Sequence, residues 1–515
     1  MAKLIANFFA LSLIMAINVA TSNPILSCSE TPYPYVCSSV VNTSPLIAQA
    51  KTQSGFRNLA LLAALDRAVR AHELASAMDI SSLDEPLKAA WADCLEVCQD
   101  TIGNLNSSMS SSSYDDAQTW LSAAMANQQT CRNGFIELGS SFPLDSLPFM
   151  SHNISELLSN SLAINKAMAP AKSGGNRGLL LDGFPNWLSA SDRKFLQSSA
   201  INADLVVAKD GSGDYDTISA AIAAASKQSN GTSRFVIHVK AGVYNENIDT
   251  SMKNLTIIGD GINATIVTGS KNVKDGSTTF RSATFAVTGD GFIARGMTFQ
   301  NTAGPEKYQA VAFRSSSDLS VYYQCSFEGY QDTLYVHSKQ QFYRNCNIYG
   351  TIDFIFGDAT VVFQNCNIYV RKPMTGQKNT VTAQGRTDER TDTGISIHDS
   401  VVTAAPDLKP VQSSFQTYLG RPWKKYSRTV YMKTFLDSLI DPAGWLEWDG
   451  DFALKTLYYG EYMNTGAGAD TSQRVTWPGY HVITSAAEAS QFTVGNFLSG
   501  NSWIPATGVP YTPGL

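Results

Sequence analysis

The chain has 515 residues, 43% of them apolar and 16% charged, enough for two or three domains that each bury a core of their own. Its formal net charge is −6, and no basic stripe or arginine-rich run is present, which argues against nucleic acid as a partner. The C-terminal part is nearly neutral, so charge by itself names no substrate.

Residues 1–22 read as a secretory signal. Lys3 precedes an apolar run from Leu4 to Ala20, and the small residues between Ala20 and Ser22 suit cleavage. The run holds Asn7 and Asn18 and has no basic flank after it, so it suits a membrane anchor poorly. Six Asn-x-Ser/Thr sequons, at Asn42, Asn106, Asn153, Asn230, Asn254 and Asn263, are compatible with glycosylation on the secretory route. In such a chain the default for the eight cysteines is pairing. There are no CxxC pairs or Cys/His clusters, and the six histidines lack ligand spacing, so no metal is expected.

Residues 24–170 read as an all-α four-helix bundle. Trp91, Cys94, Leu95, Cys98, Ile102 and Leu105 share one helical face, as do Ala117, Leu121, Ala124, Gln128, Cys131 and Phe135. The Ser- and Asn-rich residues 106–113 are expected to turn between them. Helical stretches near 55–79 and 151–168 complete the bundle. Cys94 and Cys131 fall on the inward stripes of consecutive helices and are expected to pair; Cys28 and Cys37 look like a local staple, and Cys98 like a buried thiol. Residues 171–200 form a linker with two basic elements, Arg177-Gly-Leu-Leu180 and Arg193-Lys-Phe-Leu196, and either is a candidate processing site.

From residue 203 to 515 the pattern changes to short β-branched and aromatic runs divided by Gly, Asn and Asp, such as Phe235–Val239, Leu255–Gly259, Thr265–Val267, Phe292–Phe299 and Ile395–Val402. Three segments repeat at 20 to 21 residues, aligning Cys325 with Cys346 and Cys366, and Phe327 with Ile348 and Ile368. That period predicts a right-handed parallel β-helix, one coil per repeat, capped by a helix over Thr217–Ser226. A sandwich of hairpins would give the Cys ladder no reason to recur.

The same register sets Asp332 over Asp353, about 4.8 Å apart if each lies on its own coil. Two carboxylates so close cannot both ionise freely, so one serves as an acid and the other as a charged base or nucleophile. Gln309 lies about one coil before Asp332, and Gln331 adjoins it; neutral amides there can donate to a developing oxyanion. Arg421 can hold a carboxylate in its planar fork. Trp423, Tyr330, Tyr335, Phe354 and Phe356 are candidates for the flat walls on which sugar rings stack. No serine nucleophile elbow is present.

Gly329-Tyr-Gln-Asp-Thr-Leu-Tyr335, Thr351-Ile-Asp-Phe-Ile-Phe-Gly357, Leu419-Gly-Arg-Pro-Trp423 and Gln309 in Tyr308-Gln-Ala-Val-Ala-Phe-Arg314 strongly resemble the plant pectin methylesterases. The helical half, with Cys28, Cys37, Cys94 and Cys131, resembles the pectin methylesterase inhibitor domain. The resemblance implies a secreted cell-wall enzyme that removes methyl esters from galacturonate units of pectin without a cofactor. It implies Asp353 as nucleophile, Asp332 as proton donor, Gln331 and Gln309 as transition-state stabilisers and Arg421 as the residue that holds Asp353. Thr279, Gln309, Arg421 and Trp423 match positions expected to touch substrate. The resemblance also favours a Cys346–Cys366 disulfide, a subtilisin-like processing protease and proteinaceous inhibitors as partners, and an N-terminal domain that inhibits or chaperones the proenzyme. A polygalacturonase is the rival reading, since a carboxylate pair also suits glycosidic cleavage; the two glutamines and Arg421 favour ester chemistry. A purely non-catalytic inhibitor is the other rival, disfavoured by the intact aspartate pair.

Overall fold

The computed structural model describes residues 27–41, 52–138, 147–151, 153–169 and 202–515. The signal segment, Asn42 and both candidate processing elements lie outside these residues.

The N-terminal part holds helices α1 (Pro34–Val41), α2 (Gln53–Ser76), α3 (Glu85–Ser110), α4 (Tyr114–Glu137), α5 (Pro148–Ser151) and α6 (Ile154–Met168). Side-chain oxygens start the three longest. Thr52 accepts from the Gly55 N–H, Asp84 from Leu87 and Ser113 from Asp116, each satisfying a donor that the first turn leaves over. Helices α2, α3, α4 and α6 close a four-membered ring of contacts around an interior of Leu61, Trp91, Leu121, Phe135 and Leu158. Cys94–Cys131 joins α3 to α4, and Cys28–Cys37 closes the entry turn onto α1. Cys98 is a buried thiol that donates to the Ala68 carbonyl.

The turn between α3 and α4 is shorter than the composition of residues 106–113 suggests, because α3 continues to Ser110. Ser108 and Ser110 spend their hydroxyls on the carbonyls of Asn104 and Asn106, four residues back, and so stay within the helix.

From Leu205 onward the chain winds into a parallel β-helix of three sheets, with 11, 7 and 8 strands among the described residues. Every strand pairing is parallel, and Phe327, Ile348 and Ile368 stand directly over one another. Inside the coils Tyr322, Tyr343 and Phe363 stack at 4.3 and 4.6 Å between ring centroids. Helix α7 (Ile218–Gln228) turns Ile218, Ala221, Ile222 and Ala225 onto the first coils and caps that end.

Each coil turns the corner from the 11-stranded to the 8-stranded sheet on a left-handed residue, as at Gln324, Asn345 and Asn365. The cysteine ladder follows directly, and here one expectation is corrected: Cys346 and Cys366 are free thiols, as is Cys325. In-register residues of a parallel ladder point the same way with Cβ atoms about one strand spacing apart, wider than the mean near 3.8 Å of a disulfide. Two of the thiols turn to a carbonyl of the preceding coil, Cys346 Sγ to Tyr322 at 3.3 Å and Cys366 Sγ to Tyr343 at 3.7 Å, while Cys325 Sγ turns to Tyr323 of its own coil at 3.5 Å.

Gly357 closes the strand Ile355–Gly357 with φ +129°, and a Cβ there would collide with the Val336 carbonyl of the coil before. Gly357→Ala is therefore expected to cost about 1–3 kcal/mol and to lower the thermal midpoint, read by calorimetry. An unchanged midpoint would contradict this reading of the coil.

Candidate active site

The 7-stranded sheet carries the site on its outer face. Arg314, Tyr335, Phe356 and Ala383 stand in one outward ladder across successive strands, while Phe313, Leu334 and Ile355 point into the core beside them. Asp332 and Asp353 occupy the corners just before two of these strands, with φ of 60° and 52°. Their coils are locked by the Asp332 N–H, which donates to the Ile352 carbonyl at 3.0 Å. Non-glycine residues rarely adopt this conformation, and it aims both carboxylates out of the sheet at one place.

A cavity of about 380 Å³ opens there. Asp332, Asp353, Gln309, Gln331, Arg421, Thr279 and Trp423 all line it, so the structure brings together the seven residues expected to carry chemistry or touch substrate. Of the five candidate aromatic walls, Tyr335, Phe356 and Trp423 line the cavity, with Tyr335 and Phe356 stacked at 4.2 Å. The other two are corrected. Phe354 lies in the β-helix interior, and Tyr330 packs its ring beneath Arg371 at 3.8 Å. At the corner two consecutive residues, Phe354 and Ile355, both turn inward, so strand alternation does not extend back through it.

The two carboxylates have different surroundings. Arg421 grips Asp353 with its fork, Nε to Oδ1 at 2.9 Å and Nη2 to Oδ2 at 2.6 Å. Thr380 adds two bonds: its hydroxyl donates to Asp353 Oδ1 at 2.6 Å and accepts the Asp353 N–H at 2.9 Å. Asp332 is also buried, and burial, reinforced by the nearby charge of Asp353, holds its carboxyl well above the usual carboxylate range. The environment therefore keeps the proton on Asp332 and leaves Asp353 in the grip of Arg421 and Thr380.

A family model described as Pectinesterase matches residues 204–501. The chain belongs to the pectinesterase family. A second model, described as Plant invertase/pectin methylesterase inhibitor, matches residues 25–164. Pectinesterase 2 of Citrus sinensis is 56% identical over 95% of this chain and 94% of its own length. A protein named probable pectinesterase/pectinesterase inhibitor 17 of Arabidopsis thaliana is 54% identical over 99% of both. The solved pectin methylesterase from carrot is 60% identical with a TM-score of 0.60, covering 62% of this chain and all of its own. Like the other members of the pectinesterase family, this chain is an enzyme.

Several site residues carry no signal in the sequence. Thr380 lies 27 residues after Asp353, because the intervening coil carries an extra loop that breaks the 20- to 21-residue period. Trp448 stacks under Arg421 at 4.4 Å and bears no repeat signature. Glu137, Lys424 and the α4 residues Thr130, Asn133, Gly134 and Ile136 line the same cavity, because the bundle sits over it. Thr380→Val removes both bonds to Asp353 and is expected to lower kcat for ester hydrolysis roughly ten- to hundredfold with KM little changed. Steady-state kinetics checks this, and an unaltered kcat would show that Arg421 alone positions Asp353.

Proposed function

We propose that this enzyme hydrolyses the methyl esters of galacturonate units in pectin, releasing methanol through an acyl group carried on Asp353. The observation that carries this reading is the asymmetric carboxylate pair: Asp353 held in the Arg421 fork, and Asp332 buried next to it with its carboxyl pushed well above the usual carboxylate range. Asp353 attacks the ester carbonyl carbon, and the side-chain amides of Gln309 and Gln331 donate to the oxygen that gains charge. Collapse of the tetrahedral intermediate expels methoxide, which takes the Asp332 proton and leaves as methanol. Asp332, now ionised, draws a proton from water, which attacks the acyl group and frees the galacturonate carboxylate and Asp353. Tyr335, Phe356 and Trp423 supply the apolar wall for sugar rings, and Thr279 lines the same cavity.

The uncleaved chain is silent in this reading. Helix α4 closes the cavity, the Thr279 N–H donates to Glu137 Oε2 at 3.2 Å and Lys424 donates to Asn133 at 3.1 Å. The chain is secreted to the cell wall, and cleavage within 171–200 by a subtilisin-like protease frees the cleft. Among the described residues no helix is long and apolar enough to cross a membrane. Highly methylated pectin tests the chemistry: methanol without new reducing ends is expected, and reducing ends would move the reaction to the glycosidic bond.

A further inference from the structure

Beyond the cavity, the bundle sets a line of carboxylates against a line of cations. Asp93, Glu96 and Asp100 share one face of α3 over about 10 Å of helix. Arg281 meets Asp93 Oδ1 at 2.6 Å through Nε and Glu96 Oε2 at 2.9 Å through Nη2. The Thr278 hydroxyl donates to Asp93 Oδ2 at 2.5 Å. Arg314 approaches Glu96 at 3.6 Å, and Lys339 approaches Asp100 at 3.6 Å.

These cations differ in what they keep once the bundle leaves. Arg314 retains Asp249 at 3.0 Å, and Lys339 retains Asp290 at 3.1 Å. Both ion-pair partners found for Arg281 belong to α3. Arg314, 1% exposed, lies over the Phe280 ring at 3.4 Å, and its Nε and Nη1 are buried without a hydrogen-bond partner even beneath the bundle. A buried guanidinium with idle donors, beside an arginine that among the described residues is neutralised only from the bundle, is a receptor for carboxylate groups. Thr278, Thr279 and Phe280 of the same segment line the catalytic cavity, so the receptor adjoins the carboxylate pair.

We propose that Arg281, with the Thr278 hydroxyl and Arg314, binds the free carboxylates of already de-esterified uronate units next to the reacting ester, and that Glu96, with Asp93 beside it, occupies this receptor in their place in the uncleaved chain. The proposal rests on the esterase reading of the adjoining cavity. A methyl ester has no charge and offers the guanidinium a much weaker acceptor, so the receptor separates free acid from ester. Lys339 extends the row and contributes less, because Asp290 remains on it.

The test uses residues 202–515, since the carrot enzyme shows that a β-helix of this kind stands without the bundle. Asp353→Ala is included to stop turnover. Calorimetry compares an unesterified oligogalacturonide with its fully methyl-esterified counterpart, with and without Arg281→Gln. The substitution is expected to weaken the free acid about tenfold and leave the ester's affinity in place. Arg281→Lys, which keeps the charge and loses the fork, is expected to recover part of the loss. Equal losses on both oligomers, or none on the free acid, would overturn the receptor. Methanol release by the unsubstituted protein is measured in parallel, and its absence would remove the esterase reading whatever the calorimetry shows.

Discussion

Asp353→Ala is expected to lower kcat for methanol release by about 10,000-fold or more, while the protein keeps its thermal midpoint within a few degrees. The expectation follows from what converges on that one carboxylate. Arg421 contributes two short charged hydrogen bonds and Thr380 two more, none of which has a purpose for the fold once the carboxylate is gone. Asp332→Asn keeps the shape but cannot yield a proton to methanol or take one from water. Its expected loss is about 100- to 10,000-fold, the range of a general acid–base group. A substitution at Asp353 milder than the one at Asp332 would exchange the two roles.

Raising the pH is expected to loosen the bundle from the β-helix. Three carboxyls at their contact titrate above the usual range. Burial pushes Asp93 up to about 7 against the opposing pull of Arg281. Burial also raises Glu137, and burial followed by the charge of Asp290 raises Asp318, which accepts from the Trp120 indole of α4, to about 6. A group whose pKa is raised on docking binds its proton more tightly in the docked state. Its contribution is complete below the free carboxylate value near 4 and is lost as pH rises through 6 to 7. Ionising one such group weakens docking by about tenfold, or 1.4 kcal/mol, for every pH unit between its free and docked pKa values.

The measurement is the methanol-release rate of the full chain divided by that of residues 202–515, from pH 5 to 8, which cancels the pH dependence of catalysis itself. The ratio is expected to rise toward one with pH, and Asp93→Asn to flatten the rise. A ratio independent of pH would place the hold of the bundle in apolar contact alone.

The carboxylate pair is legible in the sequence because the coils around it keep an unbroken period. Cys325, Cys346 and Cys366 mark the corner, Phe327, Ile348 and Ile368 mark the interior, and Asp332 and Asp353 inherit that register. Thr380 is not legible, because a longer coil separates it from Asp353 and hides which residues stack. Phe354 and Tyr330 are candidates by residue type alone, and at a left-handed corner strand alternation does not tell which way such a ring faces. The disulfide expected between Cys346 and Cys366 comes from resemblance, and the ladder instead turns each thiol to a carbonyl. The pairing of Asp93 with Arg281 and Thr278, and of Glu137 with Thr279, joins residues 140 to 190 positions apart on two differently folded units, beyond the reach of any periodicity.

The most direct test of the acyl-enzyme is to mix residues 202–515 with a methyl-esterified oligogalacturonide, quench with acid within one turnover and weigh the peptide that carries Asp353. A transient mass increase equal to the acyl oligouronide, located on Asp353 and appearing with the first methanol, is the predicted result. An acyl group on Asp332 instead, or methanol formed at the full rate by Asp353→Ala, would contradict it.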